Sequence, residues 1–188
     1  PCWRRPTVFT SEKELQAGLD AINASPRDTG TVEKIVCRPA VDERRELAEA
    51  QLDETEGLVG DNWRTRGFYK GGPSHPDMQL NIMNALAIAL IAGADERWQL
   101  AGDQFYVDLD ISPANLLTGH RLQIADAIIK VTAEPHLGCH KFMARFGRDA
   151  LRFVNSDVGK SLNLRGINAK VVQPGKVWRG ARISKLAT

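Results

Sequence analysis

The chain has 188 residues, 43% hydrophobic and 26% charged, with a formal net charge of +2. That length and apolar content suit one soluble globular domain whose core needs no disulfide or metal to hold it. The charge balance gives no reason to expect nucleic acid as a partner, and the most apolar run, residues 85–92, is far too short to span a bilayer.

Taken in chain order, Ser11 followed by Glu14 forms a capping-box pattern. Leu15, Leu19 and Ile22 then recur at helical spacing, predicting an amphipathic helix that ends near Ala24 at the turn chemistry of Ser25-Pro-Arg-Asp-Thr-Gly30. Residues 31–38 alternate β-branched and polar positions and read as a strand. Residues 41–52 are ambiguous: their Glu, Arg, Ala and Leu favour helix by propensity, while their alternation also suits a surface strand. Two glycine-rich loops follow, Gly57-Leu-Val-Gly-Asp61 and Gly67-Phe-Tyr-Lys-Gly-Gly-Pro73. Beyond them come a strand over 78–84, a buried helix over 84–92 stopped by Gly93, a strand over 104–111, and a strand pair over 119–124 and 127–133. Short helices are predicted over 139–146, with Phe142, Met143 and Phe146 on one side, and over 149–155. Strands over 168–173 and 177–184 flank the turn at Pro174-Gly175. Many short strands with few long helices predict a mainly β (α+β) fold, a barrel decorated with short helices. The expected organisation is a helical extension over residues 1–30 and a barrel domain over 31–188.

The candidate chemistry centres on Glu134-Pro-His-Leu-Gly-Cys-His-Lys-Phe142. The three cysteines, Cys2, Cys37 and Cys139, are widely spaced, odd in number and form no CxxC pair, which fits free thiols in a cytoplasmic, reducing compartment. The N-terminal Pro1-Cys-Trp-Arg-Arg-Pro6 has no apolar run behind its arginines and so does not read as a secretory signal. Cys37 lies in an apolar strand and reads as structural, and Cys2 as incidental. Cys139 opens a predicted helix beside His136, His140, Lys141 and Arg145, where unpaired amides and cations favour a thiolate. Against this stands the base rate that a free cysteine is more often a small buried hydrophobe. A zinc centre built on His136, Cys139 and His140 matches no standard spacing and ranks last. Gly71 and Gly72 with Arg64, Arg66 and Lys70 suggest an oxyanion pocket, for which a solvated basic loop is the commoner explanation. His75 lies in a loop able to reach the same region. Asp61 and Asp103, each after a glycine, read as turn-stabilising.

Gly57-Leu-Val-Gly-Asp-Asn-Trp63, the run from His75-Pro-Asp-Met-Gln79 to Asn84, Leu100-Ala-Gly-Asp103, Val131-Thr-Ala-Glu-Pro-His with Gly138-Cys139 and Lys141-Phe142, and Arg145-Phe-Gly147 together resemble the MOSC domain, named for the C-terminal domain of molybdenum cofactor sulfurase. The resemblance runs in order over residues 31–186. It implies a barrel-like β fold and resolves residues 41–52 toward strand. It implies that Cys139 carries sulfur as a persulfide or ligates molybdenum in the molybdenum cofactor, with reduction of N-hydroxylated compounds as one expected reaction. By their proximity in the chain, and not by the family's motifs, Arg64, Arg66, Lys70 and Lys141 would then hold an anionic group, with His75 and His136 as supporting donors. Pyridoxal phosphate is not expected in this chain; a cysteine desulfurase or an electron-donor protein is the expected partner, with a small-molecule substrate. The alternative is a non-catalytic module of the same fold that binds a small anion or a partner.

Overall fold

The computed structural model describes residues 9–68 and 70–187, so Cys2 lies outside the described residues. Ser11 caps α1 (Glu12–Ala17), and the Glu14 carboxylate accepts the Ser11 N–H at 2.8 Å, which completes the expected capping box. A break at Gly18 separates α1 from α2 (Leu19–Asn23). The strand predicted next is β1 (Thr29–Cys37). The ambiguous segment forms β2 (Arg45–Leu47) and β3 (Glu49–Asp53), strand against its helical propensity, because the edge of β1 and a second small sheet supply hydrogen-bonding partners.

The remaining elements are β4 (Gly57–Leu58), β5 (Leu80–Asn84), α3 (Ala85–Ala92), β6 (Phe105–Asp108), β7 (Arg121–Ile124), β8 (Ala127–Val131), α4 (His140–Asn155), α5 (Asp157–Ser161), β9 (Ile167–Gln173), β10 (Gly175–Trp178) and β11 (Arg182–Lys185). The closing strand expected over 177–184 is divided. Arg179 and Gly180 turn the chain, so that β10 joins β3 while β11 joins the main sheet. Gly147 (φ 92°, ψ 171°) interrupts α4, which gives the two helical stretches the sequence suggests.

Strands in the order β11-β7-β8-β9-β5-β6-β1 close through β1–β11 pairing into a seven-stranded barrel, and β2 extends the free edge of β1. Among the described strands only β5 and β6 run parallel, the crossover between them being made by α3 and a 3-10 segment, Asp95–Ala101. The two-residue side-chain period sorts the strands' faces. Ile35, Ile82, Phe105 and Val107 belong to the apolar cluster shared by the barrel strands. Their neighbours Val36, Met83 and Tyr106 face the other way, into a second cluster with Leu15 of α1, Ile22 of α2, Ile88 of α3, and Phe142 and Phe146 of α4. Helices α1 to α4 therefore cover one flank of the barrel and share one core. Met143, predicted on the same side as the two phenylalanines, is instead exposed at 38%.

Barrel closure imposes one severe steric demand. A Cβ on Gly30, which pairs with Ile183 across the closing seam, would stand 1.7 Å from the backbone oxygen of Asp108. Gly30→Ala is therefore expected to lower stability by about 3 kcal/mol or more, read as a fall in the urea midpoint. An unchanged midpoint would mean that the seam is looser than the geometry requires.

Candidate functional site

Cys139 sits in extended conformation (φ −124°, ψ −179°) at the N-cap of α4. Its carbonyl accepts the Met143 N–H at 3.0 Å, but its thiol makes no capping bond and the residue is exposed. That exposure removes the buried-hydrophobe reading for Cys139. Cys37, by contrast, is buried in the barrel core, where burial and then the nearby Asp61 carboxylate push its thiol pKa up, as befits a structural residue.

Side-chain hydrogen bonds hold the segment leading to Cys139 at three points. The Asn168 amide donates to the Glu134 carbonyl at 3.0 Å. The His136 ring meets Asp103 at 2.9 Å. Asn155 clamps Gly138 at both ends of its backbone, accepting its N–H at 2.9 Å and donating to its carbonyl at 3.0 Å. The fit at Gly138 is close, since an added Cβ would lie 2.8 Å from a Leu151 methyl and 2.9 Å from a Val154 methyl.

Asp103 has no solvent exposure, and its carboxylate accepts two bonds from Arg165 Nη1, at 2.9 and 2.7 Å. Burial alone would raise its pKa; Arg165 and His136 outweigh that and hold it down at about 2. A carboxylate can only accept, so His136 must donate through Nε2, leaving Nδ1 as an unprotonated acceptor. Burial, and then the positive Arg165, lower the His136 pKa against the opposing pull of Asp103, so the ring stays neutral. Both side chains line a cavity of about 300 Å³ with Lys160 and Asn163. The Arg165 guanidinium also lies 5.0 Å from the Phe142 ring in the first turns of α4.

A second network adjoins the first. Asp61 receives the Arg38 N–H, Nε and Nη2, each at 2.9 Å, together with the Trp63 N–H at 2.9 Å. Arg38 Nη1 continues to Asn81 at 3.0 Å, and Asn81 to Asn168 at 2.6 Å, which returns the chain of bonds to Glu134. Asp61 and Asp103 are thus more than the turn residues their Gly-Asp setting suggests: both are buried counter-ions.

The residues singled out from sequence are distributed unevenly around this site. Arg64 is exposed and paired with Glu56. Lys70 is exposed, with Nζ 5.9 Å from the Phe68 ring, and Lys141 is exposed on the first turn of α4. His75 caps a 3-10 turn by accepting the Asp77 N–H at 3.2 Å, and its Nε2 comes within 3.8 Å of Glu134. Arg66 is exposed; partial desolvation and then the neighbouring Arg38 press its pKa down to about 10. Among the described residues no three His, Cys, Asp or Glu side chains converge as metal ligands, because His136 turns to Asp103 while Cys139 and His140 face solvent. Sequence reasoning missed Arg38, Asn81, Gln104, Arg165 and Asn168. The one available signal was a charged or amide residue ending an otherwise apolar strand.

No protein-family profile matches the sequence, and no curated protein sequence matches it significantly. Solved structures match the fold. YuaD of Bacillus subtilis superposes with a TM-score of 0.60 over 82% of this chain and 94% of its own, at 17% identity. YiiM of Escherichia coli gives 0.55 over 84% of this chain and 70% of its own, at 20% identity. YiiM of Geobacillus stearothermophilus gives 0.52 over 87% and 75%, at 12% identity. YuaD and YiiM are MOSC-domain proteins, and the chain has a MOSC-like barrel fold. No helix among the described residues is long and apolar enough to cross a membrane.

Two predictions follow from the Asp103 cluster. Asp103→Asn strands a buried Arg165 charge and is expected to cost about 3–5 kcal/mol, measurable by denaturant unfolding. Both shifted groups also make the fold acid-sensitive. The His136 contribution is complete above the ordinary value of 6.5 and falls as pH drops below it. The Asp103 contribution is complete above 3.8 and is lost as pH falls toward about 2. In His136→Gln, the decline of the urea midpoint just below pH 6.5 should flatten; an unaltered slope would contradict this assignment.

Proposed function

We propose that the protein works through the Cys139 thiolate, as the protein ligand to molybdenum in the molybdenum cofactor or as a carrier of sulfane sulfur. The observation that carries this reading is an exposed thiol, unused in capping, at the end of a segment pinned at Glu134, His136 and Gly138. Ordering a loop by side-chain hydrogen bonds while leaving its last side chain uncommitted favours a reacting group over a packing one.

The donor set fits the group that the fold family implies. A single soft thiolate is what a molybdenum centre asks of the protein when its other ligands arrive with the cofactor. Cys139 would hold the metal, and the bound cofactor would supply two-electron chemistry suited to reducing N-hydroxylated compounds. His136, neutral and unprotonated at Nδ1, offers a proton acceptor in the wall of the adjacent cavity. Lys160, on the rim of that cavity, favours an anionic partner. In the sulfur-transfer form, the Cys139 thiolate attacks the outer sulfur of a desulfurase persulfide. The desulfurase cysteine leaves as a thiolate and Cys139 keeps the S–S bond, with no net oxidation.

The test is Cys139→Ser, expressed in a host that makes molybdenum cofactor. Elemental analysis and cyanide-releasable sulfur should both fall to background while the unfolding midpoint stays that of the wild type. Full retention of both sulfane sulfur and molybdenum in the variant would sink the reading. The rival, a non-catalytic binding module, predicts that the wild-type protein from the same host carries neither molybdenum nor sulfane sulfur.

A further inference from the structure

The cavity beside His136 is assembled from three chain segments. Pro135, His136 and Leu137 come from the run before α4, Val154 from the last turn of α4, and Lys160 and Asn163 from α5 and the connection that follows it. Hydrogen bonds hold these walls. Asn163 Nδ2 donates to the Ile111 carbonyl at 2.8 Å, and the Leu164 N–H to the Gly159 carbonyl at 2.8 Å. Gly159 lets α5 close on α4, since a Cβ there would stand 2.2 Å from the Phe153 carbonyl oxygen. With Gly138 held by Asn155, the cavity is preformed, as small-molecule sites are.

Its lining combines three chemical characters. Val154, 1% exposed, lies at the floor and makes the walls apolar together with Pro135 and Leu137. Leu137 is 51% exposed, so the apolar surface continues to the opening. Lys160 is exposed at that opening and makes no ion pair among the described residues, whereas Arg165 is already matched by Asp103. The His136 ring is held along one edge, with Nε2 on Asp103 and Cδ2 against Gly166, where a Cβ would come within 3.1 Å. Its Nδ1 edge, an acceptor, remains for the cavity. One cation and apolar walls suit a carboxylate on an apolar body, and the acceptor asks for an O–H or N–H on that body. A phosphate dianion would instead turn oxygen lone pairs toward Nδ1 and the apolar walls. The volume of about 300 Å³ stands at the lower end of small-molecule sites and admits a single ring.

We infer that this cavity is a binding site for a small monocarboxylate whose apolar body carries an O–H or N–H donor. Lys160 takes the carboxylate, His136 Nδ1 the donor, and Val154, Pro135 and Leu137 the body. Occupancy requires nothing of Cys139; only the use of this ligand as a substrate of Cys139 chemistry rests on the reading above.

The probe is 4-hydroxybenzoate, titrated calorimetrically into the wild-type chain at about pH 7.5, where His136 is neutral. Saturable binding is expected. Benzoate, which lacks the donor, should bind more weakly by about threefold, and 4-hydroxybenzyl alcohol, which lacks the charge, by about fivefold or more. Lys160→Gln should weaken 4-hydroxybenzoate by about fivefold and leave the alcohol unchanged. Leu137→Asp, a negative charge at the opening, should weaken the acid more than the alcohol. Both side chains are exposed, so the unfolding midpoints of these variants should stay those of the wild type. Lys141→Gln, a cation outside the cavity, should leave binding unchanged, and so should Cys139→Ser. Absence of saturable 4-hydroxybenzoate binding would overturn the assignment. So would equal affinity for acid and alcohol, equal losses in Lys160→Gln and Lys141→Gln, or loss of binding in Cys139→Ser. Binding that persists in a wild-type protein free of molybdenum and sulfane sulfur upholds the cavity and removes only the Cys139 reading.

Discussion

A carboxylate with no access to water, Asp103, sits where the crossover from α3 ends and β6 begins, and much of the site hangs from it. A bare charge at that depth would be prohibitively expensive, so its position dictates partners on both sides. Arg165 answers from the segment before β9, and His136 from the segment before α4. Arg165 in turn lies against Phe142, which belongs to the core under α4. One buried charge therefore ties a barrel strand, the cysteine segment and the helix that Cys139 begins.

The barrel explains why this polar network can exist at all. Along β1, β5 and β6 the two faces are given to two apolar cores, one within the barrel and one beneath the helices. Polar side chains are left for positions at or near strand ends: Arg38 just past β1, Asn81 in β5, Gln104 just ahead of β6 and Asn168 in β9. There they satisfy each other and the backbone in an unbroken relay from Asp61 to Glu134. The result is a stiff mount whose outermost member is an uncommitted thiol. Rigid support beneath one exposed reactive atom is the arrangement catalytic and metal-holding groups need, because their geometry must be set before the partner arrives.

Charge is spent differently in the scaffold and at its mouth. Lys34, Arg38 and Arg165 are buried and each is matched by carboxylate. Arg44 and Arg66 are not, although they lie among other guanidinium groups.

Much of the fold was legible in the chain itself, since hydrophobic period, caps and turn residues act over a few neighbours. The Ser11 capping box, the strand before Pro39, the helix stopped by Gly93 and the paired strands around Ala125 could all be read locally. So could Cys139 at a helix start. Residues 41–52 could not be read from propensity alone, because the hydrogen-bonding partners that make them strands lie in β1 and β10. The arginines that matter were equally hidden. Arg64 and Arg66 are two residues apart and look equivalent in sequence, yet one pairs with Glu56 and the other comes under the influence of Arg38. What the sequence by itself determined was the β-rich class and the cysteine. Which charges are neutralised, which amides form the relay and which cations remain uncompensated were decided only by tertiary structure. Those properties depend on burial and on partners dozens of residues away, and neither has a local signature.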